Sequence, residues 1–266
     1  MAKLTDCDPQ VLAAIRVVLC DLDDTLTLGG KLPAAAYAAL EAIAKGGRKT
    51  IVVTGRPAGW CDLMARLWPV DGVVGENGAF YFRYDAGRRQ MIRRFLRTDE
   101  ERAQDRATLK AWFAALKQAH PQIKLSADQD YRISDIAIDV CEDVAALGDA
   151  EVQEIIAALT LSGATVKLSS IHVNAWIGKF DKLSMSKTYL ADELGIAEPD
   201  LIKHVLYIGD SPNDEPMFRF FSATVGVQNI AKYLRVMAAG PAFLTEQPGG
   251  LGFAEMVRRL NAVTPQ

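Results

Sequence analysis

The chain has 266 residues, half of them hydrophobic and 24% charged, a globular composition that sets aside disorder, collagen-like repeats and a small disulfide scaffold. Its 30 basic and 33 acidic residues leave a net charge of -3, which offers no electrostatic footprint for a nucleic acid or an anionic membrane. Four cysteines without a C-x-x-C pair exclude a zinc ribbon and a thioredoxin-type motif; with no leader-like N-terminus and no run of about 18 apolar residues, a cytoplasmic protein with reduced thiols is expected.

Apolar runs of strand length, Val17–Cys20, Thr50–Val53 and the shorter Val73–Val74, alternate with helical patterns. Pro33–Lys45, rich in Ala and Leu, opens on a proline and stops at Gly46-Gly47, so a β-helix-β crossover is predicted. Glu76-Asn77-Gly78 reads as a turn into a hairpin, in which Phe80, Phe82 and Tyr84 alternate, Asp85-Ala86-Gly87 turns the chain and Gln90–Phe95 returns. A helix over Asp99–Gln118 then precedes strands Ile123–Ser126 and Ile133–Val140, the latter alternating at Ile136, Ile138 and Val140. A second helix, Val144–Leu159, precedes strands Thr165–Leu168 and Ile171–Trp176. This doubled helix-strand-strand order predicts a compact α+β insert at 84–180 between core segments 1–83 and 181–266. The α/β style resumes with a helix over Leu183–Glu193, strands Val205–Ile208, Ala223–Val227 and Ala242–Leu244, and a terminal helix near Phe253–Leu260.

Among 21 aspartates, chance supplies about one or two Asp-x-Asp pairs, and the chain has three: Asp6/Asp8, Asp21/Asp23 and Asp128/Asp130. Only Asp21/Asp23 directly follows an apolar strand, where residues two apart point to the same side and both carboxylates face the carboxyl edge of the sheet. Their repulsion calls for a proton or a cation. The second run delivers Thr54-Gly55-Arg56, a hydroxyl and backbone amides suited to phosphate oxygens. The third delivers Gly209-Asp210-Ser211-Pro212-Asn213-Asp214, with two more carboxylates and an amide.

In this order, Asp-Leu-Asp-Asp-Thr, Val-Val-Thr-Gly-Arg and Gly-Asp-Ser-Pro-Asn-Asp resemble the motifs of the haloacid dehalogenase (HAD) superfamily of phosphatases. The insert resembles the type C2B cap of its Cof-like (type IIB), sucrose-phosphate phosphatase and mannosyl-3-phosphoglycerate phosphatase branches. The resemblance implies a Rossmann-like parallel sheet with helices on both faces, plus the inserted α+β cap. It implies a phosphomonoester hydrolase in which Asp21 is the nucleophile that becomes an aspartyl phosphate and Asp23 the general acid, then base. Mg²⁺ would sit between Asp21, the backbone carbonyl of Asp23 and Asp210, with Asp214 holding its waters; Thr54, Gly55 and Asn213 would bind the phosphoryl oxygens. The family's lysine falls on Lys182, after Asp181, or on Lys187; Lys182 is favoured, although Leu183 stands where the family has glycine.

The implied substrate is a small soluble phosphometabolite, most plausibly a sugar phosphate. A phosphomutase of the phosphomannomutase type and a non-catalytic module that binds a phosphometabolite are the alternatives. Arg56, His172 and Asn174 are candidates for reading the substrate, the last two alternating on the final strand of the insert. Eight arginines between Arg83 and Arg106 read as a solvated face, and three scattered histidines make no zinc site.

Overall fold

The computed structural model describes residues 1–169 and 171–263. In chain order its strands and helices are β1 (Ala2–Lys3), α1 (Pro9–Ala14), β2 (Val17–Cys20), α2 (Ala34–Lys45), β3 (Lys49–Val53), α3 (Ala58–Leu67), β4 (Gly72–Gly75), β5 (Phe80–Asp85) and β6 (Gln90–Phe95). Then follow α4 (Asp99–Ala119), β7 (Lys124–Leu125), β8 (Asp135–Asp139), α5 (Asp149–Leu161), β9 (Thr165–Leu168) and β10 (His172–Trp176). The chain ends with α6 (Lys182–Leu194), α7 (Asp200–His204), β11 (Val205–Gly209), α8 (Glu215–Phe220), β12 (Ala223–Gly226), β13 (Phe243–Leu244) and α9 (Gly249–Asn261).

The large sheet has the order β1-β13-β12-β11-β2-β3-β4-β5-β6, parallel from β1 to β4, with β5 and β6 added antiparallel. Its central strands are continuous apolar runs because both faces are covered. Val17, Leu19, Ile51, Val53, Val205 and Tyr207 pack on one face with Met185 and Tyr189 of α6 and Met217 of α8. Val18, Cys20, Val52, Leu206 and Ile208 pack on the other with Leu40 and Ile43 of α2, Met64 of α3 and Phe253 of α9.

The second sheet, β7-β8-β10-β9, is antiparallel. Ile136, Ile138, Val173 and Ala175 point to a separate core with Leu109 of α4 and Ile155 of α5. The alternate residues Asp135, Asp139, His172 and Asn174 are also buried, on the polar face that meets the large sheet's edge. One boundary expected from the sequence is corrected here. Residue 84 lies inside β5, and the whole hairpin belongs to the large sheet, since Phe80–Asp85 pairs with β6 while Phe80–Phe82 pairs with β4. The elements around the second sheet begin with α4, whose Thr98 and Glu101 form a reciprocal N-terminal cap. Several arginines of this stretch pair with carboxylates, among them Arg83 with Glu193 and Arg93 with Asp62.

The chain returning from the second sheet meets the large sheet at Gly78, between β4 and β5. Its φ is +106°, and a Cβ there would lie 2.1 Å from the carbonyl oxygen of Asp181, the N-cap of α6. Gly78→Ala is therefore expected to lose about 2–4 kcal/mol of stability, from a strained backbone and a clash with main chain. Gly148→Ala, at a position with ordinary φ and open space, should change stability by about 0.5 kcal/mol or less. Thermal unfolding of the two variants checks both.

Candidate active site

Cys20 of β2 pairs with Ile208 of β11 and Val52 of β3, so three adjacent parallel strands end almost level. Just beyond those ends the chain places Asp21, Thr54 and Asp210 on the carboxyl edge, where strands run outward from β2 in both directions and open α/β sheets form their clefts. Asp21, Asp210 and Asp214 are buried, with carboxylate oxygens mutually within 4.8 Å.

Lys182, the first residue of α6, is buried among them, its Nζ 2.7 Å from Asp21 Oδ1 and 2.8 Å from Asp214 Oδ1. Asp181 caps the helix by accepting from the Ser184 amide at 2.8 Å, which fixes where Lys182 starts. Lys187 lies one turn on, at the surface, paired with Glu198. Asp214 is saturated: Oδ1 also takes the Tyr207 hydroxyl at 2.5 Å, and Oδ2 accepts from the amides of Asp210 and Ser211 at 3.0 and 3.2 Å. Asp210 is met more lightly, by Thr25 Oγ1 at 3.3 Å and Asn229 Nδ2 at 3.4 Å.

Burial and the surrounding carboxylates push the Asp21 carboxyl up to about 7, against the pull of Lys182. Burial, with Asp21 and Asp214, raises that of Asp210 well above the usual range. Burial opposes the charge of Lys182, but Asp21 and Asp214 outweigh it and hold the ammonium protonated. Three buried carboxylates against one ammonium leave a deficit of two charges, which fits a divalent cation held by Asp21 and Asp210 at the border of Asp214.

Thr54 is buried, and its Oγ1 accepts from the Arg56 amide at 3.0 Å, shaping the turn that carries Gly55. Ser211 Oγ donates to Asn213 Oδ1 at 2.9 Å, leaving the Asn213 Nδ2 hydrogens for a ligand. Asp23 turns away from the triad. Arg56 grips it through Nε, 3.0 and 3.1 Å from the two carboxylate oxygens, and through Nη2 at 2.9 Å. Arg56 also reaches the second sheet, at Asp128 Oδ2 (3.3 Å) and Glu142 Oε1 (2.6 Å), and its guanidinium lies over the Trp60 ring.

Two buried groups pin the sheets together beside this contact. Glu76, with a left-handed φ of +43°, accepts from the amides of Ala58 in the core and of Ile133, Ser134 and Asp135 across the seam. Arg132 donates from across the seam to the Gly55 carbonyl at 2.9 Å. His172 and Asn174 do face the cleft; His172 Nε2 lies 2.9 Å from Glu142 Oε2, and Asn174 donates to Asp135 at 3.2 Å. The cleft so enclosed, between Asp21, Arg56, His172 and Asn213, holds only about 10 Å³, about the minimum for one water.

The residues predicted for phosphoryl and metal binding thus converge, and Lys182 rather than Lys187 joins them. Arg56, expected to read a substrate, is instead engaged with three carboxylates. Sequence reasoning missed Tyr207, hidden in an apolar run, and Glu142, in an ordinary loop. It passed over Glu76 as a turn residue and Asp128 as part of a chance pair.

Together these features define an α/β protein with a buried acidic site at the carboxyl edge of its large sheet, facing the second sheet. Residues 18–103 match the family model of haloacid dehalogenase-like hydrolases. The fold is shared with the solved structure of protein 0175 from Thermoplasma acidophilum, at 16% identity and a TM-score of 0.69, covering 92% of this chain and 98% of that one. It is shared with the sucrose-phosphatase of Synechocystis sp. PCC6803, at 16% identity and a TM-score of 0.62, over 92% and 97% of the two chains. The HAD subclass IIB sugar phosphatase BT4131 likewise matches at 16% identity and a TM-score of 0.62, over 93% of this chain and 100% of its own. No curated protein matches in sequence. The family match over residues 18–103 and the fold shared with these structures agree with the resemblance that the motifs carry. Among the described residues no helix is long and apolar enough to cross a membrane.

The charge deficit sets a pH dependence. With folded pKa values raised above those of the unfolded chain, Asp21 and Asp210 favour folding at low pH and oppose it as pH climbs from the carboxylate range through about 7. A bound cation relieves that penalty by competing with protons. The rise in Tm on adding Mg²⁺ or Mn²⁺ is therefore expected to be small near about pH 5 and to grow toward about pH 8, and to be lost in Asp210→Asn. Melting curves across pH with and without metal measure it.

Proposed function

We propose that this chain is a phosphomonoester hydrolase acting on a small phosphorylated metabolite, a sugar phosphate, in a cytoplasmic setting. The observation that carries the reading is the pairing of Lys182 with Asp21 at the ends of three parallel strands, beside Asp210 and Asp214. The neighbours support the substrate class, since one is a sucrose-phosphatase solved with sucrose and phosphate and another a sugar phosphatase. In this reading the inserted cap spans 96–180, and the segments on either side form the core.

Asp21, Asp210 and the backbone carbonyl of Asp23 would hold Mg²⁺, with Asp214 at its border. When bound, the ion would neutralise phosphoryl charge and the repulsion between the carboxylates. Lys182 occupies Asp21 Oδ1 and leaves Oδ2 as the oxygen that attacks phosphorus. As that bond forms, the bond to the leaving oxygen breaks, and Asp23 gives the leaving oxygen a proton. Asp23 then takes a proton from the water that attacks the aspartyl phosphate, releasing phosphate and restoring the Asp21 carboxylate. Thr54, Gly55 and Asn213 hold the phosphoryl oxygens, and Arg56 fixes the Asp23 carboxyl against the cap. Because the closed cleft is so small, the cap must swing aside for substrate to enter and product to leave.

Phosphate release from a panel of sugar phosphates with Mg²⁺ tests the reading. Asp21→Asn is expected to lower kcat by about 10³-fold or more and Lys182→Met by about 10²-fold, while Lys187→Met stays near the parent rate. Turnover by Asp21→Asn at the parent rate would refute the nucleophile.

A further inference from the structure

The leaving-group side of the cleft has an unusual charge balance. The groups that could present positive charge there are Arg56 and His172, and both are already engaged. Arg56 is shared between Asp23, Asp128 and Glu142, and His172 lies against Glu142. Lys182 is spent at the phosphoryl end on Asp21 and Asp214. Among the described residues lining the cleft, no unpaired cation remains for the departing group.

Glu142 is a fixed part of this arrangement. Its loop is folded around Asp139, whose carboxylate accepts from the amides of Cys141, Glu142 and Asp143 at 3.0, 2.7 and 2.9 Å. Asp139 is also the register partner of His172, so the loop and the strand that grip Glu142 form one unit. Burial opposes its charge, but His172 and Arg56 outweigh it and hold the carboxyl down at about 2.

We propose that Glu142 is a specificity-determining residue that reserves the cleft for phosphomonoesters with an uncharged, hydroxylated leaving group and turns away those bearing a carboxylate or a second phosphate. The proposal rests on the hydrolase reading of the Asp21 site and narrows its substrate class. An anionic leaving group would have to displace a carboxylate from Arg56 or stand unpaired beside Asp128 and Glu142, and either course buries uncompensated charge. Hydroxyl hydrogens instead find acceptors in the same carboxylate oxygens.

The test compares glucose 6-phosphate with 3-phosphoglycerate and fructose 1,6-bisphosphate, all with Mg²⁺. The parent enzyme is expected to favour the neutral ester by about tenfold or more in kcat/KM, and Glu142→Gln to shift the acidic-to-neutral ratio about tenfold toward the acidic esters. Glu142→Asp, which keeps the charge, should retain most of the parent preference. Equal or better use of the acidic esters by the parent, or an unmoved ratio in a folded Glu142→Gln, overturns the proposal. The parent ranking decides alone if that variant does not fold. Calorimetric binding of the same esters to Asp21→Asn separates the two readings: neutral-over-acidic binding without parent turnover removes the hydrolase and keeps the filter, whereas acidic esters binding as tightly overturn the filter whatever the turnover.

Discussion

One ammonium group, buried between two carboxylates, organises the site. Lys182 and Asp21 are 161 residues apart, and their contact requires that the chain leave the core, build the cap and return with α6 starting at one particular residue. Taking a lysine out of water is costly unless its charge is met at close range, and Asp21 and Asp214 meet it at 2.7 and 2.8 Å. The same contact fixes the conformation of the Asp21 carboxylate. Asp214 is in turn fixed by Tyr207 and two backbone amides, so the lysine sits in a rigid acidic frame. Gly78 belongs to this constraint, because only a residue without Cβ lets the turn between β4 and β5 pass against the carbonyl of Asp181.

The seam between cap and core uses buried polar groups where an apolar contact would have served adhesion alone. Glu76 meets amides from both sides, and Arg132 reaches the carbonyl of Gly55, in the turn that holds Thr54 and Arg56. Hydrogen bonds of this kind fix angle as well as distance. The cap's position is thereby referred to the motif that carries Arg56, and Arg56 passes it to Asp23. Closing the cap and orienting the Asp23 carboxyl are, in this geometry, one event.

The core was legible because its physics is local. A parallel strand covered on both faces must be an apolar run, and the polar residue that ends it must lie at the sheet's edge, so Asp21, Thr54 and Asp210 could be placed before any contact was known. Lys182 was favoured over Lys187 because its Asp-Lys pair resembles the family's motif, and it is Lys182 that lies against Asp21. The β5–β6 hairpin shows where this stops: alternation and a turn identify a hairpin but not the sheet it joins, which depends on the antiparallel pairing of Phe80–Phe82 with β4. Short elements such as α1 and β1 carry too little pattern to register. Glu76, Asp128 and Glu142 escaped for a different reason, since their roles consist of long-range partners and their local sequence is that of ordinary turns and loops.

Charge is distributed along the cleft in two regimes. At the Asp21 end three carboxylates face one ammonium, an imbalance that suits a divalent cation and, on the proposed reading, the anion it would neutralise. At the other end Asp23, Asp128 and Glu142 surround the Arg56 guanidinium stacked on Trp60, with Arg132 shared between Asp128 and Asp135, so the carboxylates of this cluster outnumber its guanidiniums. On the proposed reading a phosphate is drawn to the first end only once a cation is there, and among the described residues lining the second end no unpaired cation attracts a further anion. The cleft is therefore polar along its whole length yet suited to only one anionic group per ligand. This asymmetry follows from where two cationic side chains, Lys182 and Arg56, are already committed.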